Sequence, residues 1–238
     1  SYTLSLHDAL PICSKSFYGN AIEGEILDTR EHAGIVDYEP MELVMVARAG
    51  TPLAEIESAL ADNRQMLPFE PPHFGAGATL GGAIAVGLSG PRRPYAGSAR
   101  DLVLGVKVVD GGGAHLAFGG RVMKNVAGFD VARLMTGAMG TLGVLTEVSL
   151  KCLPLPSTEQ TRVFEYSTDE AIRRVNEWSG QPLPISPTCF ARGQLAVRFS
   201  GATPSVTAAV RKTGGAALAD AAQFWRGVRE QTHAFFDD

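Results

Sequence analysis

The stretch GAGATLGGAIAVGLSGPRRPYAG, Gly75–Gly97, carries seven glycines: Gly75, Gly77, Gly81, Gly82, Gly87, Gly90 and Gly97. Glycine loses more backbone freedom on folding than any other residue, so such a density needs a reason. Two are open: a tight, close-packed turn between core elements, or a backbone cradle for an anion. The GxxxxGK[ST] phosphate loop is absent. GxGxxG fails as well, because Leu80 stands where its third glycine belongs. DGGGAHL, residues 110–116, fails the same test and fits a hairpin turn. What remains is ATLGGAIAVGLSG, in which a loop ends at Thr79 and a helical turn begins at Gly81-Gly82. Amides at a helix start point outward and favour an anion. Glycine there admits a diphosphate without Cβ contact.

Working outward, GEILDT and ELVMVARAG read as strands. TPLAEIESALADN reads as a helix, with Thr51 as cap, Pro52 in the first turn and Leu53, Ile56 and Leu60 as its apolar stripe. RQMLPFEPPHFGAG is a proline-punctuated loop. Downstream, DLVLGVKVVDGGGAHLAFGG predicts a β-hairpin turning at Asp110–Gly113. FDVARLMTG predicts a short helix capped by Asp130 and closed by Gly137, and TLGVLTEVSLKCL a strand. The regular β-α-β alternation of a Rossmann fold is missing.

PLPSTE marks a linker, and beyond it the pattern changes. TRVFEYS reads as a strand and TDEAIRRVNEWSG as a helix capped by Thr168. TCFARGQLAVRFS reads as two strands joined at Arg192-Gly193, and TPSVTAAVRKTGG as a helix ending at Gly214. This β-α-β-β-α order begins a ferredoxin-like unit. The expected fold class is therefore α+β, with one domain over residues 13–153 and part of a second over 157–238. Residues 1–12, SYTLSLHDALPI, lack an initiator Met and a signal-peptide pattern and are treated as a non-native sequence scar.

Composition narrows the function classes. The 238 residues carry 27 glycines, a net charge of −4 and 45% hydrophobic residues, an ordinary globular balance. No basic run supports nucleic-acid binding. No apolar run approaches a membrane span of about 18 residues. Cys13, Cys152 and Cys189 are far apart, which argues against a disulfide framework and for a cytoplasmic setting. The five histidines form no ligand cluster, so no metal site is expected.

The Thr-Leu-Gly theme of ATLGG returns at Thr141-Leu142-Gly143 in GAMGTLGVLTEVSL. With GGRVMKNVAGFDVARLMTG, these words closely resemble the FAD-binding domain of the vanillyl-alcohol oxidase / p-cresol methylhydroxylase (PCMH) superfamily. LDTREHAGIVDYEPMELVMVARAGTPLAEIE, QMLPFEPPHFG and GLSGPRRPYAGSARDLVLGVKVVDG sharpen this to FAD-binding subunits of glycolate oxidase. The resemblance is dense over residues 14–156 and weaker beyond, as in QPLPIS and FWRGVREQ.

The resemblance implies a PCMH-type FAD-binding domain followed by part of a ferredoxin-like substrate or cap domain. It implies that Thr79, Leu80, Gly81, Gly82 and Ala83 hold the FAD pyrophosphate by backbone. Ser89, Gly90 and Ser98 would lie along the flavin and its phosphate side, and Gly143 and Val144 would meet the ADP portion. Ser14 would end the first pyrophosphate loop. The implied activity is oxidation of glycolate, a 2-hydroxy acid, to glyoxylate by an FAD-dependent oxidoreductase acting on CH–OH groups. The implied partners are a second FAD-containing subunit and an iron–sulfur subunit, with peripheral attachment to a membrane through them. Alternatives are an FAD subunit serving assembly without independent catalysis, and oxidation of another 2-hydroxy acid such as D-lactate.

The sequence departs from the superfamily pattern in places. Ala83 stands where an Asn follows the Gly-Gly pair, and GLSG stands for NAGG. The glycines of the first pyrophosphate loop and the strands before it are missing ahead of Ser14-Lys15. A flavin gripped from one side only is expected to bind weakly and to leave this stretch of chain inactive by itself. No catalytic residue is identified. Lys124 and Arg133 fit a solvated helix end better than charge near a cofactor. Arg92 and Arg93 suit a flavin phosphate, a partner or the surface equally. His73 reads as a hydrogen-bonded loop histidine ahead of a flavin contact, and Trp178, Phe224 and Trp225 read as core.

Overall fold

The computed structural model describes Lys15, Phe17, residues 27–121 and residues 128–236. These form two compact units. Residues up to Ser89 and Gly97–Pro154 make the first; Gly90–Ala96 and the residues from Leu155 make the second. The sequence-based division at the PLPSTE linker does not include the seven-residue segment Gly90–Ala96 in the second unit.

The chain runs β1 (Ile35–Glu39), β2 (Val44–Arg48), α1 (Leu53–Asp62), β3 (Gln65–Met66), α2 (Leu80–Val86), α3 (Arg93–Ala96) and α4 (Ala99–Leu102). The hairpin β4 (Val103–Val109) and β5 (His115–Gly119) follows, then α5 (Val131–Met135), β6 (Val144–Lys151) and β7 (Leu153–Pro154). In the first unit β1, β2, β6, β4 and β5 form one antiparallel sheet in that order, and β3 pairs with β7. Met45 and Ala47 of β2 and Ala49 just beyond it alternate onto one face and join the core, while Val44 and Val46 between them are buried as well. Leu53, Ile56 and Leu60 of α1 meet that face and are fully buried, as their spacing predicts.

Thr51 does not cap α1. Pro52 occupies the cap position without a side-chain bond. The Thr51 hydroxyl instead donates towards Arg48 O at 2.7 Å and Gly34 O at 3.1 Å and accepts from Gly34 N at 2.9 Å. A buried hydroxyl finds more partners in tying β2 to the segment before β1 than at an exposed helix start. No strand occupies residues 27–29, the described part of GEILDT, while β1 forms over IVDYE. The Asp110 carboxylate accepts from Gly112 N and Ala114 N, both at 2.9 Å, which closes the β4–β5 turn. Asp130 caps α5 as expected, accepting from Arg133 N at 3.1 Å.

The second unit continues with β8 (Thr158–Glu165), α6 (Thr168–Ser179), β9 (Ile185–Ala191), β10 (Gln194–Gly201), α7 (Thr203–Thr213), β11 (Ala216–Ala217) and α8 (Ala221–Arg229). Its sheet order is β11-β8-β10-β9, so β-α-β-β-α-β closes the expected ferredoxin-like unit with a short last strand. Arg192 and Gly193 both adopt positive φ, 50° and 78°, which gives the tight β9–β10 turn. Ser167 rather than Thr168 caps α6, accepting from Glu170 N at 3.3 Å. α6 and α7 cover one sheet face, packing Trp178, Leu195, Val197, Phe199 and Val206. Trp225 of α8 covers the other, with its indole N–H donated to Thr161 Oγ1 at 2.9 Å.

Candidate functional site

The site of interest is built around α2, the helix formed by the glycine-rich stretch. Thr79 is its N-cap, and the hydroxyl accepts from Gly82 N at 3.2 Å. Leu80 N donates to Thr51 O at 2.9 Å, Gly81 N to Ala49 O at 2.7 Å and Ala83 N to Thr79 O at 3.0 Å. The amides of residues 80–83 therefore have protein acceptors. That corrects the expectation that they stand unsatisfied towards a diphosphate: Thr51 O and Ala49 O accept from Leu80 and Gly81, and Thr79 accepts from Gly82 and Ala83.

The same contact explains Gly81. A Cβ built there would lie 2.7 Å from Ala49 Cβ, so glycine is what lets α2 seat on the end of β2. The helix ends at Gly87, in the left-handed conformation at φ 69°. Its last carbonyls are met by the loop after α5, through Gly137 N to Ile84 O at 2.9 Å and Met139 N to Ala85 O at 2.8 Å. Gly143, at φ 146°, would place a Cβ 2.8 Å from Val109 O. Its lack of a side chain brings the loop 137–143 onto the end of β4.

These packings open a cleft on the first unit. Leu27, Thr29, Ala49, Gly81, Ala85, Gly140, Gly143, Val144 and Leu145 line it, around about 370 Å³ of empty space that includes its open mouth. Gly81 and Ala85, four residues apart, present one face of α2. Gly140, Gly143 and Val144 come from the repeated Thr-Leu-Gly word. The two halves that the sequence pairs by resemblance thus meet in space.

No lining side chain carries a charge or a titratable group. Most of the wall is backbone, alanine methyl and valine or leucine surface. Such a wall offers apolar and backbone contact, and it places no acid or base in the cleft.

The other expected residues distribute differently. Thr79, Leu80, Gly82 and Ala83 are buried at the start of α2, behind the cleft-lining positions. Ser89 Oγ accepts from Ala99 N at 2.9 Å, and Ser98 forms a capping box with Asp101 at the start of α4. Gly90 groups with the second unit. Ser14 and Lys124 lie outside the described residues. Ala49, Ala85, Gly140, Leu27, Thr29 and Leu145 were not among the expected site residues, although Ala85, Gly140 and Leu145 lie within the glycine-rich words. Only the density of small residues in ARAGT and AIAVG hints at a close approach.

Several side chains fall to their bland roles. His73 Nε2 lies 3.1 Å from Glu57 Oε1, as a loop histidine with a hydrogen-bonded ring. Arg133 is half-exposed and pairs with Asp130 at 3.2 Å. Trp178 and Trp225 are core. Cys152 is fully buried, and burial pushes its thiol up to about 12. Among the described residues no group of His, Cys, Asp or Glu could hold a metal ion, and no helix is long and apolar enough to cross a membrane.

The chain resembles known proteins over both units. A family model described as FAD binding domain matches residues 13–119. The chain is 52% identical over 94% of its length to glycolate oxidase subunit GlcE of Escherichia coli K12, covering 63% of that protein. It is 39% identical over 40% of its length to glycolate oxidase subunit GlcD of Bacillus subtilis, covering 20% of that protein. A D-lactate dehydrogenase of Archaeoglobus fulgidus is 30% identical over 69% of the chain, with 37% of that protein covered. The chain therefore spans less than two thirds of the length of these relatives. Among solved structures, alkyldihydroxyacetonephosphate synthase matches with a TM-score of 0.68 at 18% identity, over 86% of this chain and 44% of that one. That last likeness establishes a shared fold.

Proposed function

We propose that this chain, whose residues 13–119 belong to the FAD binding domain family, is the FAD-carrying part of a subunit in a complex that oxidises glycolate to glyoxylate. The observation that carries the proposal is its identity to the E. coli glycolate oxidase subunit, which runs through both units. The charge-free cleft between α2 and the loop 140–145 is consistent with it. Gly81, Gly143 and Val144, with Ala49, Ala85 and Gly140, hold the ADP portion by surface contact. Thr79, Leu80, Gly82 and Ala83 keep α2 in place behind them, and Ser14, Ser89, Gly90 and Ser98 lie along the phosphate and flavin side.

Bound FAD supplies the acceptor for the hydride taken from the hydroxyl-bearing carbon. The chain's own residues bind and orient it. The second unit is the substrate-side cap, and a second FAD-containing subunit and an iron–sulfur subunit complete the path for electrons. Attachment at the inner face of a membrane runs through those partners.

A second role is favoured by one observation: Ala83 stands where the superfamily pattern has an Asn after the Gly-Gly pair. On that reading the subunit carries FAD and supports assembly, while its partner oxidises the hydroxy acid. Anaerobic addition of glycolate to the full-length subunit, alone and in complex, tests both. Bleaching of the flavin in the isolated subunit supports catalysis here. Bleaching in the complex only assigns the oxidation to the partner. A complex that bleaches with D-lactate and not with glycolate overturns the substrate assignment.

A further inference from the structure

The sheet of the first unit has a second face that the core does not use. Val106, Val108, Val148 and Leu150 pack with α1 and α2 on the core side, so the residues alternating with them point away. There Asp37, Val46, Ser149, Gly105 and Gly119 lie opposite one another across β1, β2, β6, β4 and β5. Glu147, Lys107 and Ala117 form the next row on the same face. Gly119, at φ 73°, turns the chain back over these rows. A Cβ on Gly105 would lie 2.8 Å from both Gly120 N and Gly120 O, so the Gly120 backbone rests on β4. Arg121 then pairs with Asp37 of β1. Gly119–Arg121 is thus a short strap across the back of the sheet.

A second cavity lies between this strap and the two rows, with about 450 Å³ of empty space that includes its open mouth. It shares no lining residue with the cleft at α2. Ser149, in its wall, is only 6% exposed, and among the described residues its Oγ has no hydrogen-bond partner. A buried hydroxyl without a partner is costly, and its presence in a cavity wall points to a group that completes it. One water takes about 30 Å³ of liquid, so the space admits more than that. The charges in the wall narrow the choice. Lys107 Nζ lies 2.9 Å from Glu147 Oε1, and both line the cavity; Arg121 lines it too, but its partner Asp37 does not. The wall therefore presents two cations and one carboxylate, an excess of one positive charge. An ammonium has three N–H donors and a guanidinium five, so one ion pair leaves each with donors to spare. Val46 and Ala117 add apolar surface. A singly charged anion with two oxygens and a small apolar end matches all of this; a doubly charged one would meet Glu147 unfavourably.

We propose that the cavity behind the first sheet binds a small monocarboxylate, with Ser149 Oγ, Lys107 Nζ and the Arg121 guanidinium donating to its oxygens and Val46 and Ala117 against its carbon end. The site goes beyond the oxidation described above and does not depend on FAD, since its residues lie on the face turned away from α2. Binding gives Ser149 the acceptor it lacks. It also joins β4, β6 and the strap through one anion, so the occupied protein is the more stable form.

The test uses sodium acetate on the full-length protein, with sodium chloride at equal ionic strength as the reference for screening. Acetate has no hydroxyl-bearing carbon to oxidise, so flavin chemistry plays no part in the readout. Melting temperature and saturation transfer from the protein to the acetate methyl protons are measured for wild type, Ser149→Ala and Ala117→Leu. Wild type is expected to bind acetate saturably near millimolar, as suits so small a ligand, and to melt higher in acetate than in chloride. Ser149→Ala removes a hydroxyl that has no partner, so it should fold at least as stably as wild type in chloride and bind acetate about tenfold more weakly. Ala117 is exposed, so a leucine there is tolerated by the fold and fills the cavity from β5; its acetate signal should vanish. Acetate that acts on wild type no differently from chloride overturns the site. Acetate binding that survives unchanged in either variant places the anion elsewhere and overturns it equally.

Discussion

Replacing Gly81 with alanine tests how the cleft is built. The added Cβ would fall 2.7 Å from Ala49 Cβ and 3.0 Å from Ala49 O. Carbon atoms settle at about 3.5–4.0 Å, so α2 must retreat from the end of β2 by roughly an ångström. Overpacking of this kind costs about 1–3 kcal/mol. Alanine recovers about 1 kcal/mol of helix propensity over glycine. The expected balance is a loss of about 1 kcal/mol, or a melting temperature lower by about 2–4 °C for a protein of this size. The retreat also stretches the 2.7 Å bond from Gly81 N to Ala49 O and shifts one wall of the cleft. FAD affinity should therefore fall more than stability does. Thermal melts with equilibrium FAD titration read both effects on the full-length protein. Adding Ala49→Gly removes the 2.7 Å contact and should restore part of each loss. A Gly81→Ala protein that melts at or above wild type and keeps its FAD affinity would refute the seating of α2 on Ala49.

Thr79→Ala removes the acceptor for Gly82 N and should cost about 1 kcal/mol, seen as a lower denaturation midpoint with unchanged slope. Cys152 should resist thiol reagents at pH 8 in the native protein and react once unfolded. Its folded pKa is raised to about 12 from 9.0, so its contribution to stability is complete below pH 9 and is lost as pH rises towards 12. Glu159 behaves oppositely. Burial pushes its carboxyl up, but the Ser200 hydroxyl and the Arg92 and Arg198 guanidiniums outweigh that, leaving it below the ordinary 4.5. The stability it provides is present above pH 4.5 and is lost as pH falls through its lowered folded value. Glu159→Gln should accordingly flatten the acid limb of the stability profile.

Local chemistry made some of this legible in the sequence. The DGGG turn, the Asp130 cap and the Arg192-Gly193 turn depend on residues within a few positions of each other, and they form as expected. Thr51 and Thr168 show the limit of local rules. Each sits next to a helix start, yet Thr51 is claimed by Gly34, seventeen residues away, and Ser167 takes the cap before Thr168. β1 escaped notice because IVDYE alternates poorly, and a bulge between Ile35 and Asp37 breaks its period.

The site was half legible. Its motif glycines could be paired by resemblance, but glycine alone does not say whether its open side faces a ligand or another backbone. At Gly81 and Gly143 it faces Ala49 and Val109. The cleft's alanines are marked only by the density of small residues around them, in ARAGT and AIAVG. Arg92 hydrogen-bonds to partners 67 to 108 residues away, beyond the reach of any local pattern.

The cleft between α2 and the loop 140–145 is proposed to take the ADP portion of FAD. Its most direct test is an equilibrium FAD titration of the full-length protein with and without excess ADP. One FAD per chain is expected, displaced competitively by ADP. A folded protein that binds no FAD, or holds it with an affinity that ADP does not change, would contradict it.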